Sequence, residues 1–149
     1  MPSIKDPRVL STLEGRLLAL RPDTAKRWGS LNPGEVLCHL HDAVASVLAR
    51  PGGSISPARP VRKWFALRSG LPWPHNAPTL PHIDPTRAGT RPNDFERDRE
   101  RAINSLRTLA AAAPGSLPNS HGVFGSMAPE DWSRWAFRHT DHHLRQFGL

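Results

Sequence analysis

The sequence predicts an all-α fold, a four-helix bundle with one long, proline-rich crossover. Three observations carry that reading. Four stretches, 7–20, 33–49, 94–113 and 129–147, repeat apolar residues at helical spacing. No stretch of useful length alternates apolar and polar residues as a half-buried strand would. Most of the 16 Pro and 11 Gly fall between residues 50 and 92 and between 114 and 129, outside the periodic stretches. A chain of 149 residues suits one domain spanning 1–149, long enough to bury a sizeable core.

The first helix rests on Leu10, Leu13, Leu17 and Leu20, with Asp6 placed to cap it and Pro7 in its first turn. The second is marked by Asn32, Pro33 and Glu35, a cap, a first-turn proline and a reciprocal acid, followed by Val36, Leu37, Leu40, Val44, Val47 and Leu48. Pro51-Gly52-Gly53 ends it. The segment 51–92 carries too many prolines for a continuous helix or a central strand. A short helix is expected within it at Val61–Ser69, and its length implies that it packs over the bundle. The third long helix carries Phe95, Ala102, Ile103, Leu106 and Leu109, and Pro114-Gly115 closes it. The last begins at Pro129, with Glu130 and Asp131 suited to the positive end of its dipole.

The formal charge is +7, and 17 of the 20 basic residues are Arg. Such a surplus suits a polyanion, but the arginines are scattered and interleaved with acids. The run Asp94-Phe95-Glu96-Arg97-Asp98-Arg99-Glu100-Arg101 reads as a solvated helix face laced with short-range ion pairs. With neither a helix-turn-helix nor a stacking platform in view, nucleic acid ranks last among partners. The lone Cys38 excludes an intramolecular disulfide and reads as a small core residue. Without an apolar leader or a run of the ~20 residues that span a bilayer, a cytoplasmic protein away from membranes is expected.

Eight His are many for this length. His139 and His143 stand four apart on the stripe Trp132, Trp135, Ala136, His139, His143, Gln146, so both face the core and can converge on one metal ion. A third ligand must come from another helix, and His39, between Leu37 and Leu40, is the choice. His142 competes on the last helix, pointing about 100° from His143, and His41 competes with His39 on the second. Asp42 and Asp141 are candidates to orient a ligand ring, although an exposed helix charge is the simpler reading of each. Trp73, between two prolines, is a candidate pocket lid. His75 and His82 lie on the same segment and read more simply as solvated.

Beyond these patterns, several segments resemble a known family. They are Arg27-Trp28-Gly29-Ser30-Leu31, Leu37-Cys38-His39-Leu40, Gly70-Leu71-Pro72-Trp73-Pro74, Gly89-Thr90 with Asp94-Phe95, Phe124-Gly125 through Trp132, and above all His139-Thr140-Asp141-His142-His143-Leu144-Arg145-Gln146-Phe147-Gly148. Together they look like the DUF1569 family of the DinB/YfiT-like superfamily. The resemblance implies a DinB-like four-helix bundle with a long crossover. It implies a divalent metal, zinc or nickel, on His39, His139 and His143. It also implies relatives that use low-molecular-weight thiols in S-transfer or that isomerise maleylpyruvate. The leading expectation is a metal-dependent enzyme, a transferase or hydrolase, whose open three-His site activates a thiol or water for a small-molecule substrate. The alternative is a non-catalytic metal- or ligand-binding stress-response module. A homodimer is compatible with either. Arg138 and Arg145 can be imagined holding an anionic substrate group, though exposed helix charge is the simpler reading.

Overall fold

The structure, a computed structural model, describes residues 1–53, 57–75 and 77–149, so residues 54–56 and 76 of the expected crossover lie outside the described residues. It is mostly helical. Helix α1 spans Pro7–Ala19, α2 Pro33–Leu48, α3 Pro60–Arg68, α4 Phe95–Ala111 and α5 Pro129–Arg145, with short 3-10 turns at Pro81–Ile83 and Pro114–Ser116. The helix starts follow the capping chemistry. Asp6 accepts from the Arg8 N–H at 2.9 Å. Asn32 and Glu35 exchange side-chain and backbone bonds at 2.9 and 2.8 Å, and Asp94 accepts from the Arg97 N–H at 3.0 Å.

Two departures from the expected elements have local causes. α4 stops at Ala111, short of 113, because Ala112 and Ala113 take extended backbone ahead of Pro114, whose ring disfavours helix in the preceding residue. Residues 120–126 form a small antiparallel hairpin, β1 Ser120–His121 against β2 Gly125–Ser126. Two residues per strand are too short for an alternation to register in a sequence. Gly125 turns there with φ 69°, and a Cβ on it would collide with the Pro57 carbonyl.

Leu13 and Leu17 of α1, Leu37, Leu40 and Val44 of α2, Leu106 and Leu109 of α4, and Trp132, Ala136 and Leu144 of α5 meet in one apolar core, which Ala66 and Leu67 of α3 join. α2 packs most extensively on α4, and α5 touches α1, α2, α3 and α4. Every such contact adds apolar burial worth roughly 1.5–3 kcal/mol per large side chain.

Polar ties hold the crossover onto this core. Thr90, near its far end, donates its N–H and hydroxyl to Asp42 at 2.6 and 2.8 Å. Arg138 is 7% exposed, not a surface charge. Its guanidinium donates to the carbonyls of Ala66, at 3.0 Å, and Leu71. Asp98, expected on a solvated face, is 3% exposed and accepts from the Asn93 N–H at 3.0 Å. Within that charged run two short-range ion pairs do form, Arg99 with Glu96 and Arg101 with Asp98. Asp131 is 1% exposed and receives Lys63 Nζ at 2.9 Å, Arg68 Nη2 at 3.2 Å and the Ala128 N–H at 3.0 Å. Burial opposes its ionisation, but Lys63, the Ala128 N–H and Arg68 outweigh burial and hold the carboxyl below its ordinary value.

Asp131 therefore staples α3 to the start of α5. Asp131→Asn leaves Lys63, Arg68 and, at 3.9 Å, Arg134 facing a neutral amide and is expected to cost about 3 kcal/mol, read as a lower urea midpoint at unchanged slope. Because the carboxyl is depressed, its contribution is present above the unfolded value near ~4 and is lost as pH falls through the folded value. The gap between wild type and variant should accordingly close in acid. Equal midpoints at pH 7 would contradict the staple.

Candidate metal centre

Helix α2 carries His39 and α5 carries His139 and His143, with exposures of 2%, 9% and 8%. The rings form a near-equilateral group, with centroids 4.9, 4.7 and 4.9 Å apart. One ligand atom from each ring lies within 4.8 Å of the other two. The structure thus brings together the three histidines singled out from spacing.

Ring orientation comes from groups the spacing argument did not name. His39 Nδ1 lies 2.7 Å from the Ile83 carbonyl oxygen, which can only accept, so Nδ1 carries the proton and the Nε2 lone pair points inward. His143 Nδ1 lies 2.9 Å from Gln146 Oε1, with the same consequence. Gln146 is three residues after His143 on the same stripe, a legible helical spacing. Ile83 contributes only its backbone, so no residue type marks it. Asp42 and Asp141 do not orient a ligand ring: the first holds Thr90, and the second accepts from Arg16 and Arg145, each at 2.8 Å. The simpler reading of both as helix charges falls short too, since each anchors another element.

The competing histidines are turned elsewhere. His41 Nδ1 donates to Ser105 Oγ at 2.6 Å, the serine hydroxyl being committed to the Arg101 carbonyl. His142 stands between the rings of Trp28, at 4.8 Å, and Trp73, at 5.8 Å. His75 stacks on Trp28, the ring centroids 3.9 Å apart and the planes nearly parallel. His82 is exposed.

The donor set fits a divalent ion. Burial first, and mutual repulsion with it, pushes His139 and His143 well below the ordinary imidazole value, and burial lowers His39. All three are therefore neutral bases at pH 7, the form a metal requires. His39 Nε2 and His139 Nε2 stand 3.0 Å apart. Two nitrogens at ~2.1 Å from a tetrahedral ion would stand about 3.4 Å apart, so the two rings need part by only a few tenths of an ångström to take one. Cys38 is buried, and burial, with Asp98 beside it, pushes the thiol up to about 12, so it remains a protonated core residue.

The three rings lie on the wall of a cleft of about 1240 Å³, built from the crossover, the hairpin and α5. Its walls are largely apolar, including Phe65, Trp73, Leu80, Phe124 and Trp135. His121, another of its lining residues, accepts the Val123 N–H on Nδ1 at 3.0 Å. Trp73 forms a side of the cleft, with its indole N–H given to the Ala66 carbonyl at 2.8 Å.

Acid should expose the cost of these neutral rings. Burial lowers His121 from its ordinary value to about 4. Its contribution is intact above about 6.5 and is lost as pH falls from there toward the folded value. Between pH 7 and pH 5 metal-free wild type should lose on the order of 1–2 kcal/mol more than His121→Gln. Urea unfolding at both pH values measures this, and equal losses would contradict it.

A family model of the DinB superfamily matches residues 8–147. No curated protein and no solved structure matches the chain. No helix among the described residues is long and apolar enough to cross a membrane. With nearly its whole length matched and three buried histidines gathered as a divalent metal would need them, this chain belongs to the DinB superfamily.

Proposed function

We propose that His39, His139 and His143 hold one divalent metal ion, zinc or nickel, and that the protein is a metal-dependent enzyme acting on a small organic substrate in the adjoining cleft. The observation that carries this reading is that the three inward-facing imidazoles open onto a large apolar cavity rather than being sealed in the core. A structural metal site uses four protein ligands, whereas three leave a position for a reactant. A bound ion would supply Lewis acidity, lowering the pKa of a thiol or water brought to it. The chain's own residues do the rest. Ile83 and Gln146 hold the ligand rings in one tautomer. Trp73, Phe124 and Trp135 exclude water and offer flat apolar faces to a substrate.

Within the superfamily, the C-terminal His139-Thr140-Asp141-His142-His143 segment supports placement in the DUF1569 family and one domain built as a DinB-like four-helix bundle. The resemblance to the wider superfamily supports thiol-dependent S-transfer as the reaction, with a low-molecular-weight thiol as partner, and the single, buried Cys38 supports the cytoplasm as location. Cys38, buried and protonated, is not the thiol.

Two variants test the reading. His143→Ala, in protein purified without a polyhistidine tag, should lose the metal by elemental analysis yet melt cooperatively, because the apolar core carries the fold. Unfolding at room temperature would make the metal structural, and undiminished metal would remove His143 from the site. Gln146→Leu frees the His143 ring without deleting a ligand, so metal affinity should fall roughly 10–100-fold in a chelator competition. Unchanged affinity would contradict the orienting role.

A further inference from the structure

Beside the cleft lies a second cavity of about 310 Å³ with a different lining. Trp73, His75 and His142 line both, so the two spaces meet at these three rings. The smaller one is cationic: Arg27, Arg138 and Arg145 face it, against Asp141 alone among acidic side chains.

The commitments of these groups separate them. Asp141 is shared between Arg16 Nη1 and Arg145 Nε, both at 2.8 Å. Arg16 Nη2 also donates to the Leu149 oxygen at 3.0 Å, so this one arginine covers both oxygen groups at the pocket. Arg138 is committed to the Ala66 and Leu71 carbonyls. Arg27 is different. Its backbone N–H donates to the Gln146 carbonyl at 2.6 Å, tying it to the end of α5. Its guanidinium lies against Gly148, where φ is 77° and an added Cβ would stand 2.4 Å from Nη2. That guanidinium is exposed, and no carboxylate or carbonyl is seen paired with it among the described residues. An exposed cation whose backbone is tied to the end of α5, lying over Gly148 at the mouth of a pocket whose acid is already claimed, can receive an anion.

On the reading of the cleft as the substrate site, we infer that the substrate is an organic anion whose apolar body lies in the cleft and whose carboxylate or phosphate reaches Arg27 in the side pocket, with Arg145 assisting. The cleft supplies the apolar half. Val61, Phe65, Leu80 and Val123 line it while remaining exposed, Val61 at 82%. Arg145 assists through its terminal nitrogens, since its Nε is held by Asp141. Trp28, stacked on His75 and adjacent to Arg27 in sequence, forms the flat wall that the anion passes.

Octanoate and octanol serve as probes that share an apolar body and differ in charge. Isothermal titration should show octanoate binding more tightly than octanol, with only the octanoate affinity falling as salt is raised. Arg27→Gln should weaken octanoate about tenfold and leave octanol unchanged, while Arg27→Lys should retain most of the octanoate affinity. Arg145→Gln, on a different element, should weaken octanoate about threefold. Elemental analysis of each variant reads the metal separately, so a failed metal centre and a failed anion pocket are distinguishable. The inference is overturned if both glutamine variants bind octanoate as wild type does. It is also overturned if octanoate and octanol lose affinity equally.

Discussion

Everything at the centre depends on three imidazole rings staying uncharged within a few ångströms of one another. Water would protonate them readily near neutral pH, and two or three imidazolium ions this close would repel strongly. Burial removes that option, and the Ile83 carbonyl and Gln146 take up one ring nitrogen each on His39 and His143. What remains faces inward: the Nε2 lone pairs of His39 and His143, with His139 Nε2 standing 3.0 Å from that of His39, a set of nitrogens that a divalent ion could share. The helices supply the spacing, with one turn between His139 and His143 and a second helix for His39. The rest of the molecule holds those helices in place and lets a reactant approach.

The crossover performs the second task. A bare bundle would bury the histidines or leave them open to solvent. Here the chain between α2 and α4 covers them partway, making a cavity instead of a seal. Polar contacts keep it there: Asp131 with Lys63 and Arg68, Arg138 with two carbonyls, and Asp42 with Thr90. Asp131 and Arg138 are buried and Asp42 is half-buried, so these contacts are worth more than surface pairs and are destabilising to break. The same contacts place Trp73 at the boundary between the apolar cleft and the cationic pocket.

Much of this was legible in the sequence because helix chemistry is local. Capping residues and prolines mark where the helices start, and Leu and Val at helical spacing mark the faces they bury. His139 and His143 were legible for the same reason, since their positions follow from stripe and spacing, whereas His39 was chosen over His41 from its place beside Leu37 and Leu40 and from the resemblance. The less legible features depend on partners distant in sequence. Nothing local distinguishes Arg138 from Arg145, yet one is buried on carbonyls of the crossover and the other is exposed. Asp98 sits in a run that looks solvated and is nevertheless buried beside Cys38. Asp42 and Asp141 were natural candidates to orient a ligand ring, but the rings are oriented by a backbone carbonyl and an amide instead. The hairpin at 120–126 is too short for periodicity to reveal.

The central claim is that three imidazole nitrogens bind one metal ion at the edge of the cleft. X-ray absorption of tag-free protein loaded with one equivalent of zinc measures the ligand set directly. The account predicts a first shell of three imidazole nitrogens at about 2.0–2.1 Å completed by one or more oxygen donors from solvent, with no sulfur scatterer. A zinc–sulfur distance near ~2.3 Å, or a shell with fewer than two imidazoles, would contradict it.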